Sequence, residues 1–225
     1  MGSEMCIRDR ISVLEIIDKY KFRNKILEME TNGARLSDPQ IVEALKQRNV
    51  LIHLSRYGIT DKENADEFRY KYGAVIADDI AKLATEYGET LGVSTVLLKK
   101  HIDSAEKLLE MIDFYKSLGV KHHTFIEVMA DTSLRNSNKT LLDYYDKNHI
   151  AIKDLSEQLE KLGVKKVGEQ GDDSFHVYTH EYKGIEFTMT SSNLEKQHRA
   201  ETANSFSRFL IMPSGEIGVN GIEKR

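Results

Sequence analysis

The chain is poor in the residues that staple, break or anchor a protein. Among 225 residues there is one cysteine, Cys6, with two prolines and no tryptophan. A single thiol excludes an internal disulfide, a cysteine-rich zinc site and a three-thiolate cluster site. Two prolines leave long stretches free to form helices and strands. No apolar run approaches the length of a transmembrane helix. No excess of one charge is present either: 32 basic residues against 36 acidic ones give a net charge of −4, so the global field gives no reason to expect nucleic acid. The opening "MGSEMCIRDR" lacks the apolar core of a signal peptide. The expectation is a cytoplasmic soluble protein with no membrane partner. With 40% apolar and 30% charged residues, the chain has enough to build a core.

Residues 1–10 are set aside, because "MCIRDR" resembles a translated sequencing-adapter scar. From there the pattern is regular. "ISVLEIIDKY" (11–20) carries a helical apolar face. "KILEME" (25–30) alternates and runs into Thr31-Asn32-Gly33, which reads as a strand ending in a turn. Ser37 is the expected cap of the next helix, with Pro39 early in it. "VLIHLS" (50–55) reads as a second strand and 74–91 as a helix, with Gly88 a weak point. "GVSTVLLKK" (92–100) is rich in β-branched residues and reads as a third strand. Residues 104–119 form an amphipathic helix with Ser104 and Gly119 as caps. "VKHHTFIEVM" (120–129) reads as a fourth strand.

Residues 11–132 thus alternate helix and strand, which predicts an α/β fold of parallel strands, a partial (βα) barrel or doubly wound sheet. In either, ligands bind beyond the carboxyl ends of the strands. After residue 132 the pattern changes. A helical stretch, 138–163, precedes "SFHVYTHEY", "GIEFTMTS", "SRFLIMP" and "GEIGVNG". Turn signals at Tyr182-Lys183-Gly184 and Pro213-Ser214-Gly215 predict a C-terminal α+β antiparallel hairpin appendage over 133–225.

Several residues have two readings. Thr31-Asn32-Gly33 serves as a strand-to-helix turn or a ligand contact. Ser55 is a site residue or a cap. Lys99-Lys100-His101 reads as a solvated rim. His122 and His123, adjacent on a strand, face opposite sides, so one is expected buried with its bonds satisfied and the other exposed. Glu127, a carboxylate in an apolar strand, requires a partner or a function.

The pieces, in this order, resemble the radical S-adenosylmethionine superfamily, in the branch of the molybdopterin-precursor cyclase (GTP 3′,8-cyclase). "METNGARLSD" is similar to that family's strand-end "TTNG…L". "LIHLSRYG" is similar to its next strand, which ends in a polar residue. "VSTVLLKKHIDS" resembles the strand of form N-x-V-x-x-K/R-G-x-N-D, with Lys100 and Ile102 where that form has Gly and Asn, and "FIEVM" is close to "FIEFM". "GIEFTMTSS" followed by "SRFLIMPSGEI" is similar to the cyclase ending. The resemblance spans roughly residues 11–218.

It implies an enzyme in which a 4Fe–4S cluster, bound by C-x-x-x-C-x-x-C, cleaves S-adenosylmethionine reductively to abstract hydrogen from a small-molecule or peptide substrate. It places Thr31 and Asn32 at the cofactor, Ser55 at its methionyl or ribose part, Arg56 at its carboxylate and Met129 by the adenine. Lys99 and Glu127 fall on the substrate side, and no residue is implied as a metal ligand. The cluster cysteines and the Gly-Gly-Glu segment of the family are not in this sequence. Nor are the three C-terminal cysteines of the cyclase, which argues against cyclase activity itself. The expectation is an N-terminally truncated radical enzyme, inactive as given, whose parent carries the cluster. The alternative is a degenerate barrel acting as a ligand- or partner-binding module.

Overall fold

The computed structural model describes residues 14–15, 18–19, 27–68, 77–128, 139–171, 175–192, 209–211 and 217–219. Residues 14, 15, 18 and 19 are helical, as the apolar face of 11–20 predicts. The strands are β1 (Glu28–Thr31), β2 (Leu51–Arg56), β3 (Leu91–Leu97), β4 (His122–Glu127), β5 (Lys165–Gly171), β6 (Phe175–Tyr182), β7 (Ile185–Ser192), β8 (Phe209–Ile211) and β9 (Ile217–Val219). The helices are α1 (Pro39–Lys46), α2 (Asp61–Phe68), α3 (Ala77–Tyr87), α4 (Ala105–Ser117), α5 (Lys139–Asn148) and α6 (Ile152–Lys161).

Among the described residues, seven strands form one sheet in the order β1-β2-β3-β4-β7-β6-β5. β1 to β4 pair in parallel. This is the α/β alternation expected from the sequence. The antiparallel C-terminal segment is also present, as β5-β6-β7, and it continues the same sheet because β7 lies parallel to β4. β8 and β9 make a separate antiparallel pair.

Local chemistry explains where the elements start and stop. α1 is capped by Asp38, not Ser37: the Asp38 carboxylate accepts from the Gln40 N–H at 3.1 Å. Pro39 holds the residue before it in extended backbone, φ −68° and ψ 120° at Asp38, which is the conformation a cap requires. α2 opens on a reciprocal capping box. The Thr60 hydroxyl accepts from the Glu63 N–H at 3.2 Å, and Glu63 accepts from the Thr60 N–H at 2.8 Å. The helix expected over 74–91 ends earlier, at Tyr87. Gly88 takes φ +56°, one 3₁₀ turn follows, and Leu91 already belongs to β3. Residues 74–76 lie outside the described part. α4 keeps Ser104 as its cap, and Gly119 follows its end at φ +91°. β6 and β7 are joined by Lys183-Gly184, both at positive φ, the two-residue turn that matches strand twist.

One face of the sheet is the core. Ile52 and Leu54 of β2, Val93 and Leu97 of β3, Phe125 of β4, and Phe187 and Met189 of β7 are buried with Ile80, Leu108, Ile112, Leu155 and Leu159 of the helices. Because side chains alternate along a strand, the intervening residues lie on the opposite face. Ser55, Thr124, Thr188 and Thr179 are half-buried there, and Ser94 is buried. His123 sits on the core side at 3% exposure and His122 is exposed, as strand alternation predicts. His123 is not satisfied, however: among the described residues neither ring nitrogen has a hydrogen-bond partner. Burial pushes its imidazole pKa down to about 4. Among the described residues no helix is long and apolar enough to cross a membrane.

Candidate functional site

The carboxyl ends of β1 to β4 collect the residues that the sequence singles out. Thr31 ends β1 on the core side, 9% exposed. Its hydroxyl accepts from the Gly33 N–H at 3.2 Å. The Asn32 side-chain oxygen accepts from the Ala34 N–H, also at 3.2 Å. With Gly33 at φ +82°, these bonds build the strand-to-helix turn. The Asn32 amide N–H groups donate to no partner among the described residues.

Ser55 and Arg56 are neighbours in sequence and point to opposite faces. Ser55 pairs with Ser94 in register on the open face. Its hydroxyl makes no hydrogen bond among the described residues. Arg56 lies on the core side with Ile52 and Leu54, at 1% exposure. Its Nε donates to the Tyr115 phenol at 2.9 Å, and a terminal nitrogen donates to Asp61 at 3.3 Å. The guanidinium carbon stands 5.9 Å from the Tyr115 ring centroid. The Tyr115 hydroxyl donates in turn to the Gly58 carbonyl at 2.9 Å. Burial raises the Tyr115 pKa, with Arg56 opposing it.

The same loop is held from the other side by Asn64, which is fully buried. Its side-chain oxygen accepts from the Tyr57 N–H at 2.8 Å, and its amide donates to the Gly58 and Thr60 carbonyls at 2.8 and 2.7 Å. Arg56 therefore fixes the loop that follows β2 and does not extend into the open face.

Lys99 and Glu127 are brought together through a third element. Lys99 is an exposed turn residue whose backbone N–H donates to the Asn148 carbonyl at 2.8 Å. One Glu127 oxygen lies 2.7 Å from His149 Nε2. The other accepts from the Ile152 N–H, the first residue of α6, at 3.0 Å. A carboxylate at a helix amino end satisfies an orphan donor and complements the helix dipole. Glu127 thus has the partners that its apolar strand demands. Lys100 pairs with Glu67, and His101 Nε2 lies 3.0 Å from the same carboxylate. Those two ties hold the loop after β3 to α2. Met129 lies outside the described residues.

What sequence reasoning missed is a line of hydroxyls across the open face. Register places Ser55 beside Ser94, Ser94 beside Thr124, Thr124 beside Thr188 and Thr188 beside Thr179. The line spans β2, β3, β4, β7 and β6, and the Thr124 and Thr188 hydroxyls lie 3.3 Å apart. The five residues are spread through more than half of the chain, and only the strand order unites them. Among the described residues no group of three or more His, Cys, Asp or Glu side chains is placed to hold a metal ion.

The open face with its hydroxyl line, and the rim of Asn32, Ser55 and Lys99 beside it, form the candidate site. It offers hydrogen-bond donors and acceptors, and among the described residues that form it no nucleophile–base pair is assembled. No protein-family model matches the chain, and no curated protein matches it at a significant level.

Proposed function

We propose that this chain is the later part of a radical S-adenosylmethionine barrel, contributing cofactor and substrate orientation to a parent enzyme. The observation that supports the reading is positional. The first four of the five motifs that carry the resemblance fall, in order, at the carboxyl ends of four consecutive parallel strands, β1 to β4. That is the end at which such architectures bind ligands.

The residues present do not fit an iron–sulfur cluster. The chain has one cysteine, and cluster irons take several thiolates. Bound S-adenosylmethionine supplies an activated sulfonium; the chain's residues supply orientation. Ser55 offers a hydroxyl to the ribose or methionyl part, and the Asn32 amide offers a donor beside it. Arg56 stabilises the loop behind Ser55, and Thr31 stabilises the turn behind Asn32. On the substrate side, Lys99 offers a cation at the rim, and Glu127 fixes α6 against β4.

The test is Ser55→Ala in the cysteine-bearing parent, with S-adenosylmethionine binding read by calorimetry. A lost hydrogen bond to ligand costs about 0.5–3 kcal/mol, so affinity falls roughly threefold to a hundredfold while iron content and folding are unchanged. Unchanged affinity with normal iron content removes Ser55 from the cofactor and withdraws Asn32 and Thr31 with it.

A second reading is favoured by the single cysteine: a degenerate barrel that binds a ligand or partner without a cluster. It predicts that the coding frame has its own start at this position.

A further inference from the structure

The separate pair β8–β9 needs a surface to bury it. Phe209 stands beside Val219, Leu210 beside Gly218 and Ile211 beside Ile217. Five of these six residues are apolar, the sixth is glycine, and none is polar or charged. A two-stranded hairpin is marginally stable at best in water by itself, because it has nothing against which to remove apolar surface. Among the described residues the pair joins no edge of the seven-stranded sheet, so its burial has to come from packing on a face.

The open face offers such a surface. Its residues fall in rows across the strands, and the hydroxyl line is the middle row. One step toward the carboxyl ends of β3, β4 and β7, register sets Val96 beside Ile126, Ile126 beside Thr190 and Thr190 beside Val177. Three aliphatic side chains and a threonine methyl thus form a band across β3, β4, β7 and β6. All four residues are half-buried, whereas their sequence neighbours on the other face, Leu97, Phe125, Met189 and Tyr178, belong to the core. The band carries no charge. Toward the amino ends of β2, β4 and β7 the same face carries His53, His122 and Glu186. An apolar hairpin seated on that row would desolvate imidazoles and a carboxylate without pairing them. Polarity therefore directs the hairpin to the carboxyl half.

Connectivity agrees. β7 ends at Ser192, two residues beyond Thr190, at the carboxyl end of the face. Sixteen residues, 193–208, lead from there to Phe209. An extended chain of that length reaches about 50 Å, against about 14 Å for the three strand spacings that the band crosses. The hairpin can therefore reach every part of the band.

We infer that β8–β9 packs on the band of Val96, Ile126, Thr190 and Val177 and covers the carboxyl half of the open face. The occupant is a segment of the chain itself. The inference uses no part of the cofactor reading and stands or falls apart from it.

The experiment is hydrogen exchange of the full chain at two protein concentrations about tenfold apart. The amides of β8 and β9 should exchange at least about a hundredfold more slowly than in an unstructured chain, the scale of two buried aliphatic side chains, and equally at both concentrations. Ile126→Lys with Val177→Lys should remove that protection while the amides of β2 and β3 keep theirs. A second measurement leaves the sheet's own packing intact and stands whether or not the lysine variant folds. In a Cys6→Ser background, Val177→Cys reports access to the band by its rate of thiol labelling. Adding Ile211→Lys with Ile217→Lys should raise that rate at least about tenfold, the scale of one buried side chain. The inference is overturned by hairpin amides that exchange as in an unstructured chain, or by protection that survives Ile126→Lys with Val177→Lys in a folded variant. It is equally overturned by protection that grows with concentration, which would seat the hairpin on a second copy, or by a labelling rate that the hairpin lysines leave unchanged.

Discussion

Arg56 Nε and the Tyr115 phenol oxygen lie 2.9 Å apart in the core, and that bond joins the end of β2 to the last turn of α4. The same phenol donates to Gly58, so one oxygen ties a strand, a helix and a loop. Tyr115→Phe keeps the ring and removes this oxygen. It leaves Arg56 Nε and the Gly58 carbonyl with one partner fewer inside the core. The expected cost is about 1–3 kcal/mol, read as a lower urea midpoint at unchanged slope. A change under about 0.5 kcal/mol would show that the network has no mechanical role.

His123 makes stability depend on pH. Its pKa falls from 6.5 to about 4 on burial, so between those values the unfolded chain binds the proton that the folded chain refuses. The contribution is complete above about pH 6.5 and is lost as pH falls toward about 4. The full loss is about 3 kcal/mol, taking 1.36 kcal/mol per pKa unit. His180, buried and stacked on Phe187, has its pKa lowered by burial and acts in the same direction. Urea unfolding from pH 7 to pH 4 measures the slope. His123→Leu should flatten it, and a variant as pH-sensitive as the natural chain would assign the effect elsewhere.

Glu127 is predicted to act through α6. Glu127→Ala removes both the Ile152 N–H acceptor and the His149 partner, with an expected loss of about 1–2 kcal/mol. Glu127→Gln keeps a neutral oxygen for Ile152 and should lose less. Hydrogen exchange at the first turn of α6 separates the two: protection falls in the alanine variant and is largely retained in the glutamine variant. Equal protection in both would remove the capping role.

Particular residues show how far the sequence could be read. The four parallel strands were legible because β-branched, alternating runs end in turn residues, as at Thr31-Asn32-Gly33. The direction of Arg56 was legible too, since a period of two puts it with Ile52 and Leu54, but a guanidinium at a strand end reads more readily as a ligand contact. The cap at Asp38 escaped because Ser37 has the same chemistry, and only Pro39 decides between them. The partners of Glu127 escaped because His149 and Ile152 come from a later element. The hydroxyl line was out of reach, because it exists only once β7 is known to pair with β4.

The chain itself should hold no stoichiometric cluster. Anaerobic incubation with iron and sulfide is expected to leave fewer than about one iron per chain after desalting and no thiolate-to-iron absorbance. About three to four irons per chain would contradict the ligand inventory.

The most direct measurement is the DNA sequence upstream of this reading frame. An in-frame C-x-x-x-C-x-x-C followed by Gly-Gly-Glu, leading without interruption into "KILEMETNG", is the expected result. A stop codon and a ribosome-binding site immediately before residue 1 would contradict it and leave a barrel that binds its ligand without a cluster.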